Sequence, residues 1–256
     1  MRMAVHTTNL TVALCCTWLA FPAFAETALP APIKRIQEQG IEILKPFTAP
    51  GGMKGWLGRY QGMGVTIYLT PDGKHAISGY MYDEEGKNLS ENLFEKELYI
   101  PEGRRMWQRL QQTPAIEEGK PDAPRTLVVF ADPFCPYCHQ FWLKVQPWVN
   151  TGKVRLRTIL VGVIRPKSGR YAAAILNAVD PVSAWRDFER SNGKKRPPFP
   201  EVTPAKIYHQ LQYHQQLMDE LGGKATPAIY YLDENSALQQ SIGLPEDKQF
   251  DRMVGE

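Results

Sequence analysis

Two cysteines separated by two residues are the part of this sequence best suited to chemistry. Cys135-Pro136-Tyr137-Cys138 holds two thiols close enough to close into one disulfide and to open again. Residues 126–131, directly upstream, are apolar and β-rich, whereas residues 139–146, downstream, favour a helix until Pro147. The cysteine pair is therefore predicted to lie where a strand ends and a helix begins.

The start of a helix favours ionisation of the first of these thiols. The first N–H groups of a helix have no intrahelical partner and lie at the positive end of the helix dipole. We therefore predict that Cys135 is the attacking thiolate and Cys138 the resolving thiol. Pro136 suits the first helical position because it has no N–H, and Pro136 and Tyr137, between the thiols, are assigned to the substrate-binding surface.

The first 25 residues have the pattern of a secretory signal. Arg2 is their only charged side chain, an apolar stretch follows, and Ala23-Phe24-Ala25 is a small-x-small cleavage pattern. An uncleaved membrane anchor is the alternative, but the apolar stretch is shorter than the ~20 residues needed to span a bilayer. Cleavage after Ala25 would remove Cys15 and Cys16. The exported chain would keep only the Cys135/Cys138 pair, whose small ring suits exchange better than structural bracing.

The charge balance argues against nucleic acid as a partner. The 256 residues include 30 Lys and Arg against 27 Asp and Glu, a formal net charge of +3. The basic residues are dispersed, and the densest run, Lys194-Lys195-Arg196, lies in a Gly- and Pro-rich stretch. We interpret that run as a solvated loop.

The sequence divides into an N-terminal β-rich part and a larger C-terminal part. Residues 41–82 alternate with period two, which predicts a small antiparallel sheet, and residues 88–112 favour a connecting helix in two pieces. A sheet of this size is barely stable alone, so it is expected to pair with a second copy. The expected divisions are a signal peptide, 1–25, a dimerisation domain, 26–87, a linker helix, 88–119, and a catalytic domain, 120–256.

The C-terminal part has the element order of a thioredoxin-like domain. After the cysteine helix come a strand at 154–161, helical segments near 172–178, 182–190 and 204–221, strands at 228–232 and 238–242, and a final helix. The fold class is therefore α+β, with a small N-terminal sheet, a linker helix and a thioredoxin-like domain that carries a helical insertion. In that fold a cis-proline faces the cysteine pair, and Thr226-Pro227 occupies its place.

Several stretches together resemble the DsbC/DsbG family of periplasmic thiol:disulfide interchange proteins, and its DsbG members more than its DsbC members. They are residues 130–138, 226–231, 49–55 and 68–80. The resemblance covers nearly the whole exported chain. It implies a homodimer joined through the N-terminal domains, a redox-active Cys135–Cys138 pair in place of a cofactor, and substrate contact by Thr226 and Pro227.

The same resemblance implies partners and an activity. The partners are exported proteins with oxidised cysteines and a DsbD-type membrane reductase that supplies electrons. The activity is the reduction of sulfenylated cysteines together with disulfide exchange, and DsbC-like isomerisation with chaperone activity is the alternative. His139 departs from the basic residue expected after the second cysteine in DsbG.

Three readings outside this family remain. Cys135 to His139 also spells the C-x-x-C-H haem attachment motif of c-type cytochromes. A C-x-x-C pair can supply half of a zinc site, but His209 and His214 lie about 140° apart around a helix, so both are expected at the surface, as is His75. No metal site is therefore predicted. The third reading is a dimeric chaperone that acts without thiol chemistry.

Overall fold

The computed structural model describes residues 28–255, which form two compact units, 28–79 and 80–255. The predicted signal peptide, 1–25, lies outside the described residues. Within residues 28–255, none of the helices combines the length and the apolar character needed to cross a membrane.

The N-terminal unit is a four-stranded antiparallel sheet with one helix. Helix α1 (Ala31–Glu38) precedes four strands that pair in chain order: β1 (Glu42–Thr48), β2 (Lys54–Tyr60), β3 (Met63–Leu69) and β4 (Ala76–Ser78). Ile33 of α1 is fully buried and belongs to a core with Trp56, Ile67 and Leu69. The predicted antiparallel sheet is thus confirmed, but α1, which precedes the alternating residues 41–82 and is half polar, was not predicted.

The second unit begins with helices. Helix α2 (Leu89–Phe94) continues through a π-helical turn (Glu95–Tyr99) into α3 (Ile100–Gln112). Asn88 caps α2, since its side-chain oxygen accepts the N–H of Glu91 at 3.1 Å. The helix in two pieces that the sequence predicts is therefore present.

A mixed five-stranded sheet forms the centre of this unit. In chain order its elements are β5 (Ile116–Glu118), β6 (Arg125–Ala131), α4 (Pro136–Thr151), β7 (Val154–Leu160), α5 (Ser168–Leu176), α6 (Pro181–Arg190), α7 (Ala205–Glu220), β8 (Ala228–Leu232), β9 (Leu238–Ile242) and α8 (Asp247–Val254). The spatial order is β5-β7-β6-β8-β9, with β6 and β7 parallel and the other pairs antiparallel. Strand β5, which has only three residues, was not predicted.

Both faces of the sheet are covered, which explains why β6 is an uninterrupted apolar run. Leu127 and Val129 pack in one core with residues of α4, α5, α6 and α8, whereas Val128 and Phe130 pack in a second core with residues of α3 and α7. This packing holds the carboxyl end of β6, and the loop into α4, in a fixed place.

One prediction about the histidines is wrong. His75 and His209 are exposed as expected, but His214 of α7 is fully buried, and its Nδ1 lies 2.8 Å from the carbonyl oxygen of Leu160. Burial lowers the pKa of His214, because the charged imidazolium is disfavoured there. The helix around His214 is mostly polar, so its spacing alone did not show that this position faces the sheet.

Candidate active site

The loop between β6 and α4 is held by the carboxylate of Asp132. Its Oδ1 accepts the N–H of Phe134 and the hydroxyl of Ser168, both at 2.8 Å, and its Oδ2 accepts the N–H groups of Val163 and Ile164 at 2.7 and 2.9 Å. Asp132 is buried, so four donors replace the water that a carboxylate needs. The local sequence does not indicate this role, because three of the four donors come from residues 163–168.

Cys135 is the N-cap of α4, as the spacing predicts. Its Sγ accepts the N–H of Cys138 at 3.2 Å, and the backbone N–H of Cys135 itself donates to the carbonyl of Asp132 at 2.9 Å. Pro136 occupies the first turn, and Tyr137 is 55% exposed. Both cysteines are free thiols, and both are buried.

The two thiols have opposite tendencies to ionise. The pKa of Cys135 is lowered to about 6, because Cys138 donates a side-chain hydrogen bond to the thiolate, with further donation from Thr226 and the backbone outweighing burial. The pKa of Cys138 is raised, first by burial and then by the neighbouring negative charge of Cys135. Near pH 7 the site therefore holds one thiolate and one protonated thiol.

Thr226 and Pro227 face the nucleophilic sulfur, and their peptide bond is cis, which confirms the prediction. The Sγ of Cys135 lies 3.2 Å from the carbonyl oxygen of Thr226, and this carbonyl accepts the S–H when the thiol is protonated. The hydroxyl of Thr226 is buried without another hydrogen-bond partner, so its O–H is available to the thiolate. Cys135 and Thr226 are 91 positions apart along the chain, and the pairing of β6 with β8 brings them together.

A buried acid–base pair lies beside the cysteines. Nδ1 of His139 lies 2.6 Å from Oε2 of Glu189, whose side chain is nearly inaccessible. The pKa of Glu189 is raised to about 7, first by burial and also by the negative charges of Glu118 and Cys135, which together outweigh the lowering by His139. Burial also raises the pKa of Glu118, which accepts the indole N–H of Trp142 at 2.9 Å. His139 is apparent from the sequence but neither carboxyl is, because Glu189 lies 50 residues from His139 and Glu118 lies 24 residues from Trp142.

A groove of about 260 Å³ opens beside the nucleophile. Its lining includes Cys135, Pro136, His139, Phe134 and Tyr171. Among residues 28–255 no group of three His, Cys, Asp or Glu side chains has the arrangement of a metal site. The groove gives a substrate sulfur access to Cys135 from one side.

The arrangement is suited to thiol–disulfide exchange. A thiolate is the reacting species in such exchange, and a protonated thiol one helical turn away can later attack the bond that the thiolate has formed. A thioredoxin-like sheet, a cysteine pair at a helix start and a cis-proline opposite it define a dithiol oxidoreductase.

Comparisons with known proteins agree with this geometry. A family model described as the disulfide bond isomerase protein N-terminal domain matches residues 23–91, and one described as a thioredoxin-like domain matches residues 112–256. The thiol:disulfide interchange protein DsbG of Escherichia coli is 57% identical over 91% of this chain and 94% of its own length. DsbG of Pseudomonas aeruginosa is 42% identical over 91% of each chain, and DsbC of Escherichia coli is 28% identical over 82% of each.

The chain therefore belongs to the DsbG family of thiol:disulfide interchange proteins. Its α+β class, with an N-terminal domain of the disulfide isomerase type and a thioredoxin-like domain, is that of the family. As a member, it is an oxidoreductase that exchanges disulfides.

Proposed function

We propose that this protein reduces oxidised cysteines of exported proteins in the periplasm, with Cys135 as the attacking thiolate and Cys138 as the resolving thiol. One observation carries the assignment: the pKa of Cys135 is lowered to about 6, whereas that of Cys138 is raised. At neutral pH about nine-tenths of Cys135 is thiolate, compared with a few per cent of a free cysteine.

The substrates include sulfenylated cysteines as well as disulfides. The thiolate of Cys135 attacks the sulfur of R–SOH, hydroxide leaves and takes up a proton as water, and an enzyme–substrate disulfide forms. Cys138 then loses its proton and attacks the Sγ of Cys135, which releases the repaired substrate thiol. The two electrons come from the enzyme dithiol, so each turnover leaves a Cys135–Cys138 disulfide that a DsbD-type membrane reductase must reduce.

Substrate contact is assigned to Pro136, Tyr137, Thr226 and Pro227. Tyr137 is more than half exposed beside the thiols, and the Thr226 carbonyl lies 3.2 Å from the Sγ of Cys135. A substrate segment can lie extended beside Thr226, as an added strand does, with its sulfur directed at Cys135.

Isomerisation with chaperone activity is the second candidate. It is favoured by the raised pKa of Cys138, which slows resolution and prolongs the mixed disulfide in which a substrate can rearrange. Rearrangement regenerates the thiolate of Cys135 without net electron flow, so the two activities differ in whether the enzyme becomes oxidised.

Two substrates separate these candidates: a folded protein with a single sulfenylated cysteine, and a protein with scrambled disulfides. The redox state of the enzyme thiols is followed on each. We expect stoichiometric oxidation on the first and slow rearrangement of the second. Efficient unscrambling without sulfenic acid reduction would refute repair as the main activity.

The roles of the two thiols are tested by trapping. The Cys138→Ser variant should accumulate mixed disulfides through Cys135, whereas Cys135→Ser should trap no substrate. The opposite pattern would exchange the two roles.

The N-terminal domain, 26–87, is proposed to join two copies, and residues 1–25 to direct export and be removed. Strand β4 has only three residues and pairs only with β3 among the described residues, and Met63 and Ile77 are more than half exposed. An open edge and exposed apolar side chains favour association. The linker, 88–119, and the catalytic domain, 120–256, complete the proposed division.

Sedimentation tests this assembly. The chain without residues 1–25 should sediment as a dimer, whereas residues 80–256, which form a compact unit, should be monomeric and retain exchange with small disulfides. A dimeric 80–256 fragment would place the interface in the second unit.

A further inference from the structure

A row of three aromatic rings leads away from the nucleophile. Phe134, Tyr171 and Phe199 pack edge to face, with ring centroids 4.7 Å apart for the first pair and 5.0 Å for the second. Phe134 and Tyr171 also line the groove beside Cys135. This aromatic row therefore continues the substrate groove across the surface.

Three exposed arginines lie on the aromatic row. The guanidinium carbon of Arg165 is 5.2 Å from the ring centre of Phe134, and that of Arg170 is 4.8 Å from Phe199. Arg196 lies 5.3 Å from Tyr171 and 4.5 Å from Phe199. We call these three residues the arginine rim. Because a guanidinium stacked on a ring is already oriented, less conformational entropy remains to be lost when it binds a ligand.

The surface around the arginine rim is predominantly basic although the net charge of the chain is small, and its nearby carboxyls are Asp187, which lines a groove with Arg196, and Glu189, which lines the groove beside Cys135. Residues 162–171 contain three basic and no acidic side chains, and residues 190–200 contain four basic and no acidic ones. Among the described residues, no carboxylate forms an ion pair with any member of the arginine rim. Arg196, which the sequence placed in a solvated loop, is exposed but fixed against two rings.

We propose that the arginine rim binds an acidic stretch of the polypeptide whose oxidised cysteine reacts with Cys135. This inference rests on the proposed role of Cys135. Guanidinium groups pair with carboxylates through two parallel N–H···O bonds, which makes Asp and Glu side chains the matching ligands.

The row sets the spacing of the acidic residues. The ring of Phe199 lies within about 10 Å of the ring of Phe134, and an extended chain advances ~3.3 Å per residue. The preferred substrates therefore carry Asp or Glu two to four positions from the oxidised cysteine. A polypeptide fits better than a nucleic acid or a lipid surface, because the groove that the rim continues contains a thiol whose reaction partner is a sulfur atom.

The test uses two cysteine peptides that differ only by Glu or Gln at positions two to four from the cysteine. Each peptide is supplied as its mixed disulfide with thionitrobenzoate. Attack of the reduced enzyme on the peptide sulfur forms an enzyme–peptide disulfide and releases thionitrobenzoate, the better leaving group, which is measured by absorbance. The acidic peptide should react about tenfold faster than the neutral one at low salt. This preference should largely disappear at 0.5 M salt because the charges are screened.

Variants locate the preference on the surface. The double variant Arg170→Gln/Arg196→Gln should reduce the ratio of the two rates to about two, because two of the three rim charges are removed. Arg196→Lys should give an intermediate ratio, because an ammonium group keeps the charge but cannot form the two parallel N–H···O bonds. Arg252→Gln is the matched control, since Arg252 is exposed and borders a different groove. The neutral peptide should react at the same rate with every variant.

The unmodified enzyme and the variants can each overturn the proposal. Equal rates for the two peptides at low salt would refute it without any variant, and so would a preference that the double variant leaves unchanged. The wild-type enzyme could instead bind anionic lipid vesicles faster than the double variant does, without a preference between the peptides. That result would assign the rim to a membrane surface and refute the proposal. If the neutral peptide does not react at all, the role of Cys135 fails, and the inference fails with it.

Discussion

The acidity of Cys135 should depend more on the side chain of Cys138 than on any other single group. Replacing Cys138 by alanine removes the S–H that donates to the thiolate, whereas replacing it by serine supplies an O–H at the same position. In a chain that lacks residues 1–25, both variants contain Cys135 as their only cysteine. The pair of variants therefore isolates this donor while the backbone N–H groups of α4 stay in place.

The size of the effect follows from the chemistry of the bond. A hydrogen bond to a charged group contributes roughly 1.5 kcal/mol or more, which corresponds to about a tenfold change in an ionisation constant. Cys138→Ala should therefore make Cys135 about ten times less acidic, while Cys138→Ser should stay within about threefold of the unmodified acidity. The rate of the fully ionised thiolate should rise about threefold in the alanine variant, because less acidic thiols give more nucleophilic thiolates.

The assay is the rate of alkylation by iodoacetamide as a function of pH. The midpoint of the rate curve reports the pKa of Cys135, and the plateau reports the nucleophilicity of its thiolate. The unfolding midpoint of each variant controls for loss of structure. Equal midpoints for the alanine and serine variants would refute the role of the Cys138 side chain and would leave the acidity to the helix start and Thr226.

Three further predictions concern stability. The lowered pKa of buried Cys135 stabilises the reduced fold most strongly above the unfolded pKa of ~8.5; this contribution is about 1.4 kcal/mol at pH 7 and is lost as pH falls through about 6. The difference in unfolding free energy between wild type and Cys135→Ser, measured in urea, should therefore shrink from pH 7 to pH 5. The raised pKa of Glu189 has the opposite effect: stability on the order of 3 kcal/mol is present below pH 4.5 and is lost as pH rises through about 7. Glu189→Gln should therefore flatten the dependence of the unfolding free energy on pH between 4.5 and 7, and an unchanged dependence would contradict the assignment. Asp132→Ala should cost about 3 kcal/mol or more, because four donors lose their acceptor; Asp122→Asn, at an exposed position, should change the unfolding midpoint little.

The local sequence was sufficient to predict that the cysteine pair lies where a strand ends and a helix begins. A β-rich run before the pair and a helix-forming run after it specify a strand and a helix through neighbouring residues alone, and the structure has β6 and α4 there. The antiparallel strands of the N-terminal unit are equally local, because each pairs with the next along the chain. Helix α1 and strand β5 were missed because they have only eight and three residues, respectively, which is too short for a clear pattern.

Contacts between distant residues could not be read from any local pattern. Whether a polar side chain can be buried depends on the hydrogen-bond partner that it finds in the folded chain. His214 pairs with the carbonyl of Leu160, 54 residues away, and Glu189 pairs with His139, 50 residues away. The arginine rim depends in the same way on the start of α5 and the loop between α6 and α7, which meet only in the folded chain.

The sequence by itself determined which atoms can exchange a disulfide and which of the two thiols begins a helix, because both properties depend on spacing within a few residues. Only the tertiary structure decided that the carbonyl of Thr226 lies 3.2 Å from the Sγ of Cys135, that Cys138 is buried deeply enough to stay protonated, and that two carboxyl groups lie beneath the site. Desolvation and charge act through space, so they follow the packing of the sheet and its helices and not the order of residues along the chain.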